Sequence, residues 1–340
     1  MTLPKLIALL AAPGLFLATG CNKHSDPTTS APAGSGSGRT ITIALMPKSK
    51  GNAYFISCKK GAERAANELG ARLIFDGPTD PDPARQNEII ENWITLGVDV
   101  IAAACENKEG ISTALRKARQ KGVQVITYDS DAMPDARAFF VNQATPEGIG
   151  SALMDEAARL CGGQGEFAII TASLTAANMN DWQRHIEARR ASKYPDMKMV
   201  ALRPCDDLKD KAQAEATALL SAHPNLKLLM NICSPAVPGA AEAVKQAGKA
   251  GRVKVIGLGL PSENRRYVKD GVTDSVILWK TEDLGELTVR AAHAVATGSL
   301  KAGDKTFKAG PLGEFEIAGD NILLGTPFIF NKNNIDKFDF

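Results

Sequence analysis

Short apolar runs alternate with segments of helical periodicity along most of the chain. The run ITIALM at 41–46 precedes the segment 55–69, whose apolar residues fall on one helical face, and a second apolar run follows at 71–75. Short β-branched runs predict strands, and apolar residues spaced three and four apart predict an amphipathic helix. This stretch therefore predicts one β-α-β unit.

The same alternation then repeats in two sets. The first set adds helices at 83–96 and 111–120 with strands at 98–104, 123–129 and 138–141. The second set contains helices at 146–160, 182–193, 210–221, 239–247 and 262–269, and strands at 166–172, 197–203, 226–232, 253–258 and 275–279. Strands that alternate with helices form parallel sheets covered on both faces. The fold class predicted is α/β, with two similar lobes, each a parallel sheet flanked by helices. The tail from 310 predicts either a structural flap or a return into the second lobe.

The N-terminal residues differ from the rest of the chain. Lys5 precedes an apolar stretch at 6–18 that is too short to span a bilayer, which is typical of an export signal covering residues 1–20. The run Ala18-Thr19-Gly20-Cys21 resembles the bacterial lipobox, although Ala18 stands where Leu is usual. We expect Cys21 to carry lipid, with plain secretion or a buried helix as alternatives. Residues 21–39 are rich in Ser, Gly and Pro and predict a flexible linker.

Length and charge exclude several classes of protein. A chain of 340 residues with 44% apolar content can bury a large core, so neither a disordered protein nor a membrane channel is indicated. The 40 basic and 38 acidic residues leave a net charge of +2, which gives no general reason to bind nucleic acid. The five cysteines beyond Cys21 show no C-x-x-C spacing, so we expect mostly buried thiols and neither zinc nor a disulfide framework.

No pattern in the sequence indicates catalysis. None of the four histidines lies near a loop Ser or Cys with an orienting carboxylate. The run GLGLPS at 257–262 lacks the third glycine of a dinucleotide fingerprint, and no phosphate-binding G-x-x-x-x-G-K-[ST] occurs. We therefore expect no enzyme activity, no catalytic residue, no metal and no cofactor.

Ligands of open parallel sheets bind where loops leave the carboxyl ends of the strands. That rule selects candidate loops before any family is considered. They are 46–55, 104–107, 128–131, 171–182, 231–238, 257–261 and 279–283.

From residue 41 to 340 the chain resembles the type I periplasmic binding proteins of sugar importers, and in particular the clade of rhamnose-binding and furanosyl-autoinducer-binding proteins. The matching blocks include ALMPKSKGNAYF at 44–55, CKKGAERAANELG at 58–70, GLGLPSENRRYVKDG at 257–271 and FNKNNIDKFDF at 330–340. The resemblance implies two lobes joined by a hinge with three crossovers. It implies a first lobe of 40–144 plus 281–310 and a second of 145–280 plus 311–340.

The resemblance also implies how a sugar is held between the lobes. It implies hydrogen bonds from Lys48 and Asn52, ring faces from Tyr54 and Phe55, and a carboxylate acceptor at Asp129. The second lobe would contribute Asn178, Asn180, Trp182 and Ser234. For three of these residues a purely structural role is the alternative: Asn52 as a helix cap, and Phe55 and Trp182 as core.

Two positions depart from the family pattern. Asn178-Met179 replaces the Asp-Gln pair of the autoinducer-binding members, which favours a sugar over that signal. Lys280 replaces an Asp after the hinge tryptophan, so a Lys280 facing the cleft beside Lys48 would suit an anionic sugar acid.

The resemblance implies a monomeric binding protein that delivers a sugar to an ABC importer permease. It would work on the periplasmic or cell-surface side, anchored to the membrane through Cys21. A binding protein for a furanosyl autoinducer and a sugar sensor without a transporter remain alternatives. A sugar-responsive repressor with the same core would carry a helix-turn-helix where this chain has its signal and linker.

Overall fold

The computed structural model describes residues 39–340, so the predicted signal, Cys21 and the predicted linker up to residue 38 lie outside the described residues. Two sheets organise this part of the chain. The strands of the first sheet lie in the order β11-β12-β13-β5-β4-β3-β1-β2 and those of the second in the order β14-β10-β9-β8-β6-β7. The strands are β1 (Thr42–Met46), β2 (Arg72–Phe75), β3 (Val100–Ala103), β4 (Gln124–Tyr128), β5 (Phe140–Asn142), β6 (Gly165–Thr171), β7 (Met197–Pro204), β8 (Leu226–Asn231), β9 (Lys254–Leu258), β10 (Ser275–Leu278), β11 (Thr306–Lys308), β12 (Glu314–Ala318), β13 (Asn321–Leu323) and β14 (Phe328–Phe330).

Helices connect the strands and cover both sheets. They are α1 (Ala53–Leu69), α2 (Pro83–Leu96), α3 (Lys108–Gln120), α4 (Pro146–Cys161), α5 (Ala177–Lys193), α6 (Lys209–Ala222), α7 (Ala236–Gln246), α8 (Pro261–Lys269) and α9 (Thr281–Ala296). We call the first sheet with its helices the first lobe and the second sheet with its helices the second lobe. The two-lobed α/β architecture predicted from the sequence is confirmed.

Alternate residues of the strands are buried on opposite faces, as a doubly covered sheet requires. On β1, Ile43 and Leu45 join the larger apolar core, whereas Ala44 and Met46 join a second core formed with α2 and α3. All four side chains are fully buried. No helix among residues 39–340 combines the length and the apolar character needed to cross a membrane.

The chain crosses between the two sheets three times. It passes from β5 to α4, from β10 to α9, and from β13 to β14. The last crossing corrects the predicted boundary at residue 311, because β12 and β13 belong to the first sheet. There β13 runs parallel to β5, with Ile322 beside Val141, and only β14 returns to the second sheet, antiparallel to β10.

Helices α1 and α9 cross unusually closely in the first lobe. A Cβ atom on Gly61 would lie 1.8 Å from the carbonyl oxygen of Glu282, and one on Gly285 would lie 1.8 Å from that of Cys58. Only glycine permits such an approach of two backbones. The two helices are thereby fixed together although every element of the second lobe except β14 lies between them in sequence.

Candidate ligand-binding site

A narrow cleft with a cavity volume of about 40 Å³ lies between the two sheets. Nearly all of its walls come from residues that follow strands, in agreement with the rule for open parallel sheets. The lining residues are Lys48, Asn52, Tyr54, Phe55, Pro81, Glu106, Asp129, Ala172, Asn178, Met179, Trp182, Asp207, Ile232, Cys233, Ser234, Leu258, Leu278 and Trp279.

Lys48, in the loop between β1 and α1, reaches from the first lobe to the second. Its side chain is buried, and Nζ donates a 2.8 Å hydrogen bond to Oδ1 of Asn178. Nζ also lies 3.8 Å from Oε2 of Glu106, whose Oε1 accepts from Ser173 Oγ across the cleft. The lysine and the glutamate thus each contact the opposite lobe.

Asn52 has two functions at once. Its Oδ1 accepts from the backbone N–H of Tyr54 at 2.9 Å and so caps α1. Its Nδ2 donates to Oδ2 of Asp207 at 2.6 Å, and Ser234 Oγ donates to its Oδ1 at 3.1 Å. Asn52 is therefore both the helix cap that was the structural alternative and a residue that contacts the second lobe across the cleft.

A chain of hydrogen bonds leads from the hinge to Asp129. Trp279, where the chain leaves β10 for α9, donates from Nε1 to the hydroxyl of Tyr54 at 2.8 Å. That hydroxyl donates to Oδ1 of Asp129, also at 2.8 Å. Because the tryptophan donor fixes the direction of the tyrosine proton, Asp129 is oriented with one carboxylate oxygen occupied. Its Oδ2 has no hydrogen-bond partner among residues 39–340.

Aromatic rings form the apolar walls of the cleft. Tyr54 packs edge-on against both Phe55 and Trp279, with ring centroids 5.1 and 6.1 Å away, and Trp182 lies 6.2 Å from Trp279. All four rings are buried and all four line the cleft. Rings beside carboxylates and amides suit a ligand with both C–H faces and hydroxyl groups.

The charged groups that line the cleft are predominantly acidic. Lys48 stands against Glu106, Asp129 and Asp207. Burial raises the pKa of the Asp129 carboxyl, although Lys48 and the Tyr54 hydroxyl oppose that rise. Burial also raises the pKa of Asp207, to about 6, against the lowering effect of the Asn52 hydrogen bond. Burial therefore makes ionisation of each aspartate less favourable than it would be in water.

Both aspartates have a left-handed backbone. The φ angle is 61° at Asp129 and 57° at Asp207. This region is costly for residues other than glycine, although aspartate tolerates it better than most. Such strain collects at ligand sites, where it directs a side chain toward the ligand.

Eight of the ten residues expected to bind ligand line the cleft, and two do not. Asn180 points its amide at the backbone oxygen of Leu174, 3.0 Å away, and lies outside the lining. Lys280 is exposed, and its ammonium pairs at 2.9 Å with Asp283, one turn into α9. Lys280 therefore does not line the cleft beside Lys48, so the condition under which a sugar acid was suggested is not met.

Three polar lining residues were not among those expected. Glu106 and Trp279 lie in two of the strand-end loops selected above, but the resemblance pointed to neither. Asp207 follows β7, the edge strand of the second sheet. The strand-end rule applied to β7 could have found it, and the paired aspartates at 206–207 were the available signal.

Met179 occupies the position where the autoinducer-binding relatives are expected to have an amide. Its sulfur lies 3.4 Å from the backbone nitrogen of Ala172 and 3.5 Å from the hydroxyl of Thr171, both at the end of β6. Only Asn178 of this pair offers a polar side chain to the cleft, and its Oδ1 accepts from Lys48.

Residues 43–300 match the model of the periplasmic binding protein domain, so the chain belongs to that family. The resemblance stated from the sequence is confirmed. Among curated proteins, a D-ribose/D-allose-binding protein of Pseudomonas aeruginosa is 32% identical over 67% of this chain and 74% of its own length. The ribose import binding protein RbsB of Bacillus subtilis is 25% identical over 90% of this chain and 97% of its own.

Solved structures extend the same likeness. An ABC transporter solute-binding protein from Clostridium phytofermentas with bound L-rhamnose has a TM-score of 0.85 and 31% identity, covering 88% of this chain and 98% of its own. LsrB from Clostridium saccharobutylicum in complex with AI-2 has a TM-score of 0.84 and 28% identity, covering 88% of this chain and all of its own.

Proposed function

We propose that this protein captures a neutral monosaccharide between its two lobes and delivers it to the permease of an ABC importer. Relatives described as binding ribose, allose and L-rhamnose support the sugar class. The cleft supports it independently, because it combines aromatic walls with carboxylate, amide, hydroxyl and ammonium groups. The ligand-binding residues proposed are Lys48, Asn52, Tyr54, Phe55, Asp129, Asn178, Trp182 and Ser234, joined by Glu106, Asp207 and Trp279.

One observation carries the proposal: polar groups of the two lobes face one another across the cleft and already form hydrogen bonds. Lys48 pairs with Asn178, and Asn52 pairs with Asp207. A sugar between the lobes offers hydroxyls that both donate and accept, so it can bridge the same groups. A ligand shifts a protein toward the closed form only through contacts it makes better in that form. Contacts from both lobes meet that requirement.

The charge in the cleft favours a neutral ligand over a sugar acid. With Lys280 at the surface, Lys48 is the one cation among the lining residues, against three carboxyl groups. An anionic ligand would be repelled by Glu106, Asp129 and Asp207 at short range. Neutral hydroxyls would instead donate to these carboxylates and favour their ionised forms.

The furanosyl autoinducer is less well supported, despite the structural likeness to LsrB. Met179 supplies a thioether where those relatives are expected to have an amide, and that sulfur contacts the end of β6. A buried ligand hydroxyl left without a partner costs about 1–3 kcal/mol, so this position disfavours a ligand that requires the amide.

For the N-terminal part of the chain we propose export and lipid anchoring through Cys21, with the linker to residue 39 as a tether and a monomeric binding domain. The lipobox-like run supports this proposal. Replacing Cys21 with Ser should move the protein from the detergent phase to the aqueous phase in a phase-partition assay. Wild-type protein that already partitions into the aqueous phase would contradict lipidation.

A thermal-shift screen of pentoses, deoxyhexoses, hexoses and sugar acids tests the ligand class. A sugar at 100 times its dissociation constant should stabilise the protein by about 2.7 kcal/mol. We expect a shift with at least one neutral sugar and none with the sugar acids. Lys280→Ala is the matched control, because its charge lies outside the cleft. If no neutral sugar shifts the unfolding temperature while a sugar acid does, the proposed ligand class is wrong.

A further inference from the structure

Two of the buried cysteines lie in contact behind the wall of the cleft. The sulfur atoms of Cys205 and Cys233 are 3.4 Å apart, and both side chains are almost fully buried. Both are free thiols, as are Cys58, Cys105 and Cys161. Within residues 39–340 no other pair of thiols makes such a contact, and the spacing of the cysteines in sequence did not predict this one.

The two cysteines lie in loops that carry polar groups of the cleft. Cys205 follows β7, and Asp207 comes two residues later. Cys233 follows β8, lines the cleft itself and immediately precedes Ser234. Asp207 and Ser234 both contact Asn52 of the first lobe. The spacing of the two sulfurs is therefore tied to the spacing of two groups that hold the same amide.

We propose that Cys205 and Cys233 are a redox-active dithiol that closes to a disulfide and thereby alters the spacing of the Asp207 and Ser234 loops. A disulfide has a sulfur–sulfur distance of about 2.05 Å. From 3.4 Å the sulfurs must approach by about 1.4 Å, which is within reach of side-chain rotation combined with a small movement of either loop. The periplasm is oxidising, and disulfides form and persist there.

The oxidant required is an external disulfide, carried by a protein or by a small molecule. The thiolate of Cys233 attacks one sulfur of that disulfide, forms a mixed disulfide and releases one thiol. Cys205 then attacks the Cys233 sulfur and releases the second thiol. Two protons and two electrons pass from the cysteines to the oxidant, which ends as two thiols. Cys233 is the first of the two to react because it lines the cleft, whereas Cys205 lies behind it.

Cys233 should react slowly while the cleft is closed. Its hydrogen bond with Cys205 and its burial raise the pKa of its thiol, so little of the reactive thiolate is present at neutral pH. Any sugar that holds the lobes closed should slow the reaction further by covering this wall. This last expectation, like the effect on affinity below, rests on the proposed sugar-binding function.

Peptide mapping of the full-length protein tests the bond itself without any sugar. The protein is incubated with oxidised glutathione, remaining thiols are blocked with iodoacetamide in denaturant, and the digest is examined by mass spectrometry. We expect the peptides of Cys205 and Cys233 to be joined, lighter by two hydrogen atoms than the sum of the free peptides. Cys58→Ser should leave this product unchanged, whereas Cys205→Ser should abolish it. Alkylation of Cys205 and Cys233 as complete as that of Cys58 would overturn the proposal.

Calorimetry with a sugar from the screen tests the coupling to the cleft. We expect oxidised protein to bind about tenfold more weakly than reduced protein, equivalent to losing one charge-assisted hydrogen bond. The affinity of Cys233→Ser should not respond to the oxidant, because the thiol that forms the mixed disulfide is then absent. Equal affinities of the oxidised and reduced wild type would overturn the coupling. If no sugar binds at all, the proposed function fails, while the mapping still decides whether the bond forms.

Discussion

Replacing Asp129 with Asn tests the centre of the proposed site. The substitution keeps the size of the side chain and removes its charge. Asparagine also tolerates the φ of 61° at this position, whereas alanine would add the cost of a left-handed backbone, about 1–2 kcal/mol. Any change in affinity can then be attributed to the carboxylate and not to a displaced loop.

The expected magnitude follows from the contacts of the carboxylate. Tyr54 donates to Oδ1 at 2.8 Å with or without a ligand, so that bond largely cancels in the free energy of binding. Oδ2 remains for a sugar hydroxyl, and a hydrogen bond to a charged group contributes about 1.5–3 kcal/mol. Asp129→Asn should therefore weaken binding by roughly 10- to 150-fold. The free energy of unfolding should change by less than about 1 kcal/mol, because the amide still accepts from Tyr54 and no cavity is created.

Titration calorimetry with the sugar found in the screen measures the first quantity, and thermal unfolding of the free protein measures the second. Lys280→Ala serves as the control and should retain wild-type affinity, since its partner is Asp283 at the surface. An Asp129→Asn protein that binds within about twofold of wild type would show that this carboxylate does not contact the ligand.

Three further predictions concern pH, the hinge and the helix crossing. Because an ionised carboxylate accepts hydrogen bonds more strongly than the protonated acid and the pKa of Asp207 is about 6, sugar affinity should fall by up to about tenfold between pH 7 and pH 5, and Asp207→Asn should abolish that change. In the ligand-free protein the raised pKa of Asp207 has the opposite effect on folding stability. The contribution of Asp207 to the free energy of unfolding is fully present below about pH 4 and is lost as the pH rises through about 6. Trp279→Phe should weaken binding about tenfold in calorimetry, because the Tyr54 hydroxyl loses the donor that fixes its proton. Gly285→Ala should lower the midpoint of thermal unfolding through a loss of about 1–3 kcal/mol, since its Cβ would overlap the Cys58 carbonyl; an unchanged midpoint would contradict the close crossing.

Local pattern was sufficient to predict most of the fold. Each buried strand of a doubly covered sheet is a short apolar run, and each covering helix has one apolar face. Both patterns can be recognised from a short stretch of sequence. The assignment of residues 314–323 failed because β12 and β13 are short, partly exposed strands near one edge of the first sheet. Their place depends on pairing with β5, which is remote in sequence, and no local pattern encodes that choice.

The sequence predicted a cleft residue correctly where its position after a strand alone determines whether it lines the cleft. It did not do so where the direction of the side chain determines this. Asp129 follows a central strand, so the carboxyl-end rule identified it. Lys280 also follows a strand, yet its direction depends on the start of α9 and the acid at Asp283. Trp279, one residue earlier, points into the cleft instead. Successive residues of extended chain face opposite ways, and the resemblance did not indicate which of the two faces inward.

The close crossing of α1 and α9 also constrains the order in which the protein folds. The two helices are contributed by residues 53–69 and 281–296, before and after the continuous stretch from α4 to β10 that forms most of the second lobe. The first lobe therefore cannot be completed until nearly all of the chain has been synthesised. The stretch from α4 to β10 is continuous and can collapse earlier. Because contacts between such distant segments form slowly, the first lobe should be the last to become protease-resistant during refolding.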